Sequence, residues 1–144
     1  MGKQKGQAVV EFALVLPLFL MLLFGIVYTG LFYSDYLTLS NLARESARAA
    51  AIQGMTADDT GEKNYKKIRD QYGEQIRLVT SLYTWTYSDD SCFSINEEQS
   101  DTKMVTAKLT ARRDDNFPGV GFIKYMLPDS FEIRYSMYKE ASSE

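Results

Sequence analysis

GQAVVEFALVLPLFLMLLFGIVYTGLFY, Gly6 to Tyr33, carries a single charge, the carboxylate of Glu11 near its front edge. From Phe12 to Phe32 about 21 residues pass without a charge, enough for a helix to cross a hydrocarbon core of about 30 Å. The run is long for a secretory signal, and bulky Leu and Phe continue through it where a signal would end on small residues. It reads as a retained span. Lys3 and Lys5 precede it and Asp35 is the first charge beyond it, so the amino terminus is expected in the cytoplasm. The protein is then expected in the inner (cytoplasmic) membrane as a single-pass chain, with everything after about Ser34 outside. Glu11 is the anomaly. A carboxylate inside a lipid-facing helix costs about 2.5 kcal/mol or more near the bilayer centre and less towards the interface.

Outward from the span, the charge-bearing chain is ordinary. The 144 residues allow one folded domain and an anchor. Mean hydropathy is −0.26, so apolar character is concentrated at one end. The net charge of −3, without a basic cluster interleaved with aromatics, argues against a nucleic-acid partner. Histidine is absent and Cys92 is the only cysteine. The commonest general base and metal ligand are therefore missing, and an intramolecular disulfide is excluded. No Ser-Lys arrangement points to a nucleophile. Neither catalysis, a cofactor nor a small-molecule substrate is expected. The Asp58-Asp59, Asp89-Asp90 and Asp114-Asp115 pairs lack the alternating spacing of a calcium loop and read as solvated turns.

Met1–Gly6 reads as a short basic leader, residues 7–33 as the span and residues 34–53 as a helical stalk continuing it. Asp35 to Gln53 has strong helix formers and no Pro or Gly. Tyr36, Leu39, Ala43, Ala47 and Ala50 recur at helical spacing, a stripe that needs another helix or the protein's own head against it. Glu45 and Arg48 are spaced to pair. A single helix over Gln7–Gln53 would reach roughly 70 Å. Pro17 removes one helix hydrogen bond, which membrane helices tolerate as a bend. Gly25 and Thr29 form a small-xxx-small step that admits close helix approach. Tyr28, Phe32, Tyr33 and Tyr36 mark an outer interfacial belt.

Residues 54–144 read as an extracytoplasmic α+β head. Gly54–Gly61 breaks the helix, and Asp59 with Glu62 resembles a capping pair. A second helix is expected from about Glu62 to Arg77, with Tyr65, Ile68, Tyr72 and Ile76 on one face and Gly73 weakening it. The period then changes to two. LVTSLYTWTY places Val79, Tyr83, Trp85 and Tyr87 on one face of a strand. Shorter or cleaner strands follow at Cys92–Ile95, Lys103–Arg112 and Phe131–Tyr138. PGVGFIKYMLP, between Pro118 and Pro128, fits either a short helix or an apolar loop. The fold class is α+β: a long amino-terminal helix, then a small antiparallel sheet with one additional helix.

Glu11 has a natural partner if the chain is cut between Gly6 and Gln7. The new ammonium on Gln7 would lie one helical turn away, where the helix dipole also favours a carboxylate. Either that amine or a neighbouring subunit's would satisfy it, and in the second case the acid sets the register of packing helices. Cutting would remove Lys3 and Lys5, leaving 14 basic residues against 19 acidic ones, a charge of −5.

The same residues carry a family resemblance. Gly6, Gln7, Ala8, Val9, Val10, Glu11 and Phe12 resemble the cleavage and recognition region of type IV pilin-like precursors. More narrowly, GQAVVEFALVLPLFLMLLFGIV followed by NLARESARAAA resembles the TadE-like minor pilins of tight-adherence (Tad) systems. The resemblance rests on Glu11–Ala13, Leu16-Pro17, Phe24-Gly25 and Ala43-Arg44 through Arg48, about the first third of the chain. Gln7 and the Val9-Val10-Glu11-Phe12 order depart from main-class type IV pilins and favour the TadE-like branch. Single Cys92 departs from the several cysteines common in TadE-like heads. The resemblance implies a pilin-like fold, cutting after Gly6 by a membrane prepilin peptidase, and assembly through Glu11 and Phe12. Its implied partners are the membrane, other pilin or pseudopilin subunits and the Tad assembly platform. Pro17, Gly25, Thr29, Ala43 and Ala47 are the expected helix-packing positions. The competing expectation is an uncleaved single-pass protein whose head is an extracytoplasmic binding module.

Overall fold

A computed structural model describes residues 2–53, 65–97, 104–117, 121 and 125–139. Its largest element is one uninterrupted helix, α1 (Gly2–Gln53), of 52 residues. Its length is roughly 78 Å at about 1.5 Å per residue. Pro17 lies inside it without ending it. The lost bond is the one to the Ala13 carbonyl, and the turns either side keep theirs.

After α1 come α2 (Tyr65–Glu74), β1 (Tyr83–Thr84), β2 (Phe93–Glu97), β3 (Met104–Arg113) and β4 (Ser130–Tyr138), giving the expected α+β class. β3 is the central strand. β4 pairs with it antiparallel from Met104↔Tyr138 to Arg112↔Ser130. β2 and β1 share its other edge in tandem: Phe93–Glu97 runs beside Val105–Leu109, and Tyr83–Thr84 beside Arg112–Arg113.

The alternation in β3 sorts its side chains cleanly. Val105, Ala107, Leu109 and Ala111 are buried, and they join Leu39, Leu42, Ala43, Ala47 and Ala50 of α1 in one hydrophobic cluster. The outer face of β3 and β4 is polar. Thr106 Oγ1 meets Ser136 Oγ at 2.8 Å, and Lys108 Nζ meets Glu132 Oε2 at 2.9 Å. Hydrogen bonds from Lys108 and Arg134 hold the Glu132 carboxyl below its ordinary pKa. The alanine stripe of α1 is thus covered by the chain's own sheet. Small side chains there let the strands approach the helix backbone, and each buried Leu beside them contributes about 1.5–3 kcal/mol. Ser46, buried in the same face, donates to the Ala43 carbonyl at 3.2 Å.

Three expectations needed correction. The second helix ends at Glu74, not Arg77. Gly73 is buried, and a Cβ there would stand 2.3 Å from Tyr87 Cβ, so this glycine serves close packing at the helix end. The period-two run over 78–87 yields only the two-residue β1, because β2 already occupies the neighbouring edge of β3 as far as Leu109. Val79 is consequently exposed, while Tyr83 is buried and the Trp85 ring lies 5.9 Å from that of Phe93. Glu45 and Arg48 form no ion pair among the described residues; Arg44 instead stands over the Tyr135 ring, 5.5 Å from its centroid. The Asp59–Glu62 pair lies outside the described residues.

Candidate functional site

The residues expected from the sequence to be functional lie along α1, and the structure divides that helix into two regions. From Gly6 to Val27 the side chains are uncovered, apart from a partial contact at Gly25; from Leu39 to Ala51 one face is buried under the head. A helix apolar on every side and uncovered over more than five turns is suited to a membrane, not to water.

Gly6 and Gln7 lie within the first turns of α1, and nothing lies within 4 Å of where a Gly6 Cβ would be. Nothing in the chain's own packing therefore requires glycine at this place, and in a helix interior it costs about 1 kcal/mol relative to alanine. The Gln7 Nε2 donates to Glu11 Oε1 at 3.3 Å across one turn. The two side chains share a face, and the acid's partner is a neutral amide of the adjacent turn. Phe12, next along, is 65% exposed.

Pro17 sits in a shallow apolar groove with Leu14, Leu18, Met21, Phe24 and Tyr28. Thr29 Oγ1 donates to the Gly25 carbonyl at 2.7 Å, which satisfies its hydroxyl within the helix. Against Gly25 the structure brings the Met126 methyl, 3.2 Å from where a Cβ would lie. Ala43 and Ala47 are fully buried beneath the sheet. The five expected packing positions therefore fall into three settings: Pro17 on the bare helix, Gly25 and Thr29 beside a head loop, and the two alanines inside the head.

The aromatic belt also turns inward. Phe32 packs on Tyr83 and Phe131, with ring centroids 5.6 and 5.4 Å away, and Tyr36 on Phe131 at 5.8 Å. Tyr33 stays exposed. Tyr83 donates to the Pro128 carbonyl at 2.9 Å. Its hydroxyl is pushed up to about 12, chiefly by burial; Arg113 opposes this, and Asp35 and Asp129 add to it.

Sequence reasoning missed two buried charged-type side chains: Asp35, which joins head to helix, and Arg113, which ties together segments of the head. Asp35 is 0% exposed and accepts hydrogen bonds from the Thr80 backbone N–H, at 3.1 Å, and from the Thr80 hydroxyl. Its only signal in sequence is its place as the first acid past the span. Arg113, with a side chain 3% exposed, donates to the Leu127 carbonyl at 3.1 Å and pairs with Asp115 and Asp129. The remaining acidic pairs have local duties. Asp89 Oδ1 accepts from the Ser91 N–H, Asp114 Oδ1 from the Asn116 N–H, and Asp90 pairs with Arg69. Asp58-Asp59 lies outside the described residues. Among the described residues no three His, Cys, Asp or Glu side chains gather as a metal site would require.

Residues 6–48 match the family model described as TadE-like protein, the family that the amino-terminal residues resemble. The match covers the bare part of α1 and most of the part beneath the sheet. No curated protein and no solved structure gives a significant match to the chain.

Proposed function

We propose that this chain is a minor pilin or pseudopilin of a bacterial tight-adherence (type IVb-like) pilus or a related secretion apparatus. It inserts with Lys3 and Lys5 in the cytoplasm, is cut between Gly6 and Gln7 by a prepilin peptidase, and holds its head outside the membrane. It then joins a filament or its initiating complex by helix packing, supporting assembly and adhesion as a structural subunit.

The observation that carries this reading is the pairing of Gln7 with Glu11 on a bare helix inside the family match. Cutting at Gly6 would place an ammonium on the residue whose side chain already reaches the carboxylate. A neutral amide is a weak counterpart for an acid in lipid; a cation one turn away is a strong one. The steric freedom at Gly6 also supports the reading, since a glycine that packing does not need is explained by recognition from outside the chain.

Mass spectrometry of the membrane-extracted protein tests it, with and without the peptidase. The mature chain should begin at Gln7 only when the peptidase is present; a working protein that still begins at Met1 or Gly2 refutes the proposal. Glu11→Val should be cut normally and recruited poorly into assemblies. Unchanged recruitment would remove Glu11 from the mechanism.

A further inference from the structure

The head touches α1 at successively deeper levels along one face. Phe131 meets Phe32, Phe117 meets Tyr28 at a centroid distance of 6.5 Å, and the Met126 methyl reaches Gly25. Residues 32, 28 and 25 are steps of four and three, one side of a helix descending towards the amino terminus. Gly25 lies seven residues before Phe32, roughly 10 Å along the axis. When the Phe12–Phe32 run fills the hydrocarbon core, the Met126 methyl stands well below the outer boundary.

Two of these contacts, from Phe117 and Met126, come from the chain between Arg113 and Asp129, and the third from Phe131 of β4. The base of the Arg113–Asp129 segment is polar and closed. The Arg113 N–H donates to the Asp129 carbonyl at 2.8 Å, while the guanidinium binds Asp115 on one limb and Asp129 on the other. Above that base, Tyr125 is 92% and Met126 51% exposed. In sequence, Lys124 is the only charge between Asp115 and Asp129, and a lysine stem can carry its ammonium to the headgroups. Met126 also lines one continuous apolar surface with Leu18, Met21, Leu22 and Ile26 of the helix. Side chains at one depth share one solvent.

We infer that Tyr125 and Met126 dip into the outer leaflet beside the span, giving the head a second, lipid-facing anchor. The partner is the acyl-chain and glycerol region of the bilayer, and tyrosine suits that boundary. The inference rests on the membrane-spanning part of the proposed function.

The test uses the full chain with Cys92→Ser, carrying one environment-sensitive fluorophore at Tyr125→Cys, Phe19→Cys or Ser91→Cys. Each is reconstituted at one chain per vesicle, in phosphatidylethanolamine–phosphatidylglycerol vesicles with or without lipids bearing a nitroxide quencher. The expected result is blue-shifted emission at 125 that is largely lost to the nitroxide lipids, as at 19, with 91 unaffected. Quenching at 19 with water-like, iodide-accessible emission at 125 overturns the inference and leaves the span intact. Protection at 125 from both nitroxide and iodide shows a protein cover and overturns it too. Failure to quench at 19 removes the span itself, and this inference with it.

Discussion

The Asp35 carboxylate is wholly buried and holds Thr80 by both its backbone N–H and its hydroxyl, tying a loop of the head to α1 two residues past Tyr33. A buried acid is stabilised only while its oxygens keep donors, and here two donors come from one residue 45 positions away. The contact pins the Thr80 segment of the head to α1 at Asp35.

Asp35→Ala leaves the Thr80 N–H and hydroxyl without their acceptor. The expected loss is about 1–3 kcal/mol, the cost of leaving a buried donor unsatisfied. Asp35→Asn, which keeps one acceptor oxygen, should lose less. Chemical denaturation in detergent followed by Trp85 fluorescence measures both, and equal stability of all three chains would show that the Thr80 contact contributes nothing.

Gly73→Ala sets helix propensity against packing. Alanine favours the helix by about 1 kcal/mol, yet its Cβ would stand 2.3 Å from Tyr87 Cβ, an atom next to the backbone that cannot swing away. Overpacking of this kind costs about 1–3 kcal/mol, so net destabilisation is expected. Gly30→Ala is the contrast, with nothing within 4 Å, and should fold as the parent does. The two melting temperatures, read side by side, check the sign.

Ala47→Leu should also destabilise, again by about 1–3 kcal/mol, because Ala47 is fully buried where the sheet lies on α1. The effect should be present in the isolated chain, before any assembly. A variant that folds normally alone and fails only in filaments would place Ala47 at a subunit contact instead.

Tyr83 gives the head an alkaline limit. Its folded-state pKa is pushed up to about 12 from an ordinary value of 10.0. Between those values the unfolded chain has released the proton and the folded chain still holds it, so stability is intact below pH 10 and falls as pH rises towards 12. Tyr83→Phe should flatten that limb. Urea midpoints between pH 9 and 12 measure it, and parallel curves for parent and variant would remove Tyr83 as the cause.

Much of the fold was legible because its signals are local. The Phe12–Phe32 run and the breaker-free stretch after it specify a long helix through composition alone, and α1 runs to Gln53. The alternation in β3 and β4 is a property of neighbouring residues, and both strands came within a residue of their expected bounds. The shared face of Gln7 and Glu11 is local in the same way: four residues, about one helical turn, separate them whatever else the chain does.

What depended on partners was not readable. The 78–87 run has strand character throughout, but strand length is decided by the free edge available: β2 holds β3 as far as Leu109, the Cys92 carbonyl takes the Thr110 N–H, and β3 ends at Arg113. The alanine stripe fits another helix or a sheet equally well, since small side chains admit either; the tertiary fold chose the sheet. Asp35 and Arg113 look like surface charges in sequence because their partners, Thr80 and Asp129, come from distant segments. Periodicity and hydropathy thus determined which elements exist and which helix lies bare, being sums over adjacent residues. Only the packed chain determined which faces meet, because that choice minimises uncovered apolar surface and unpaired polar groups over the whole molecule at once.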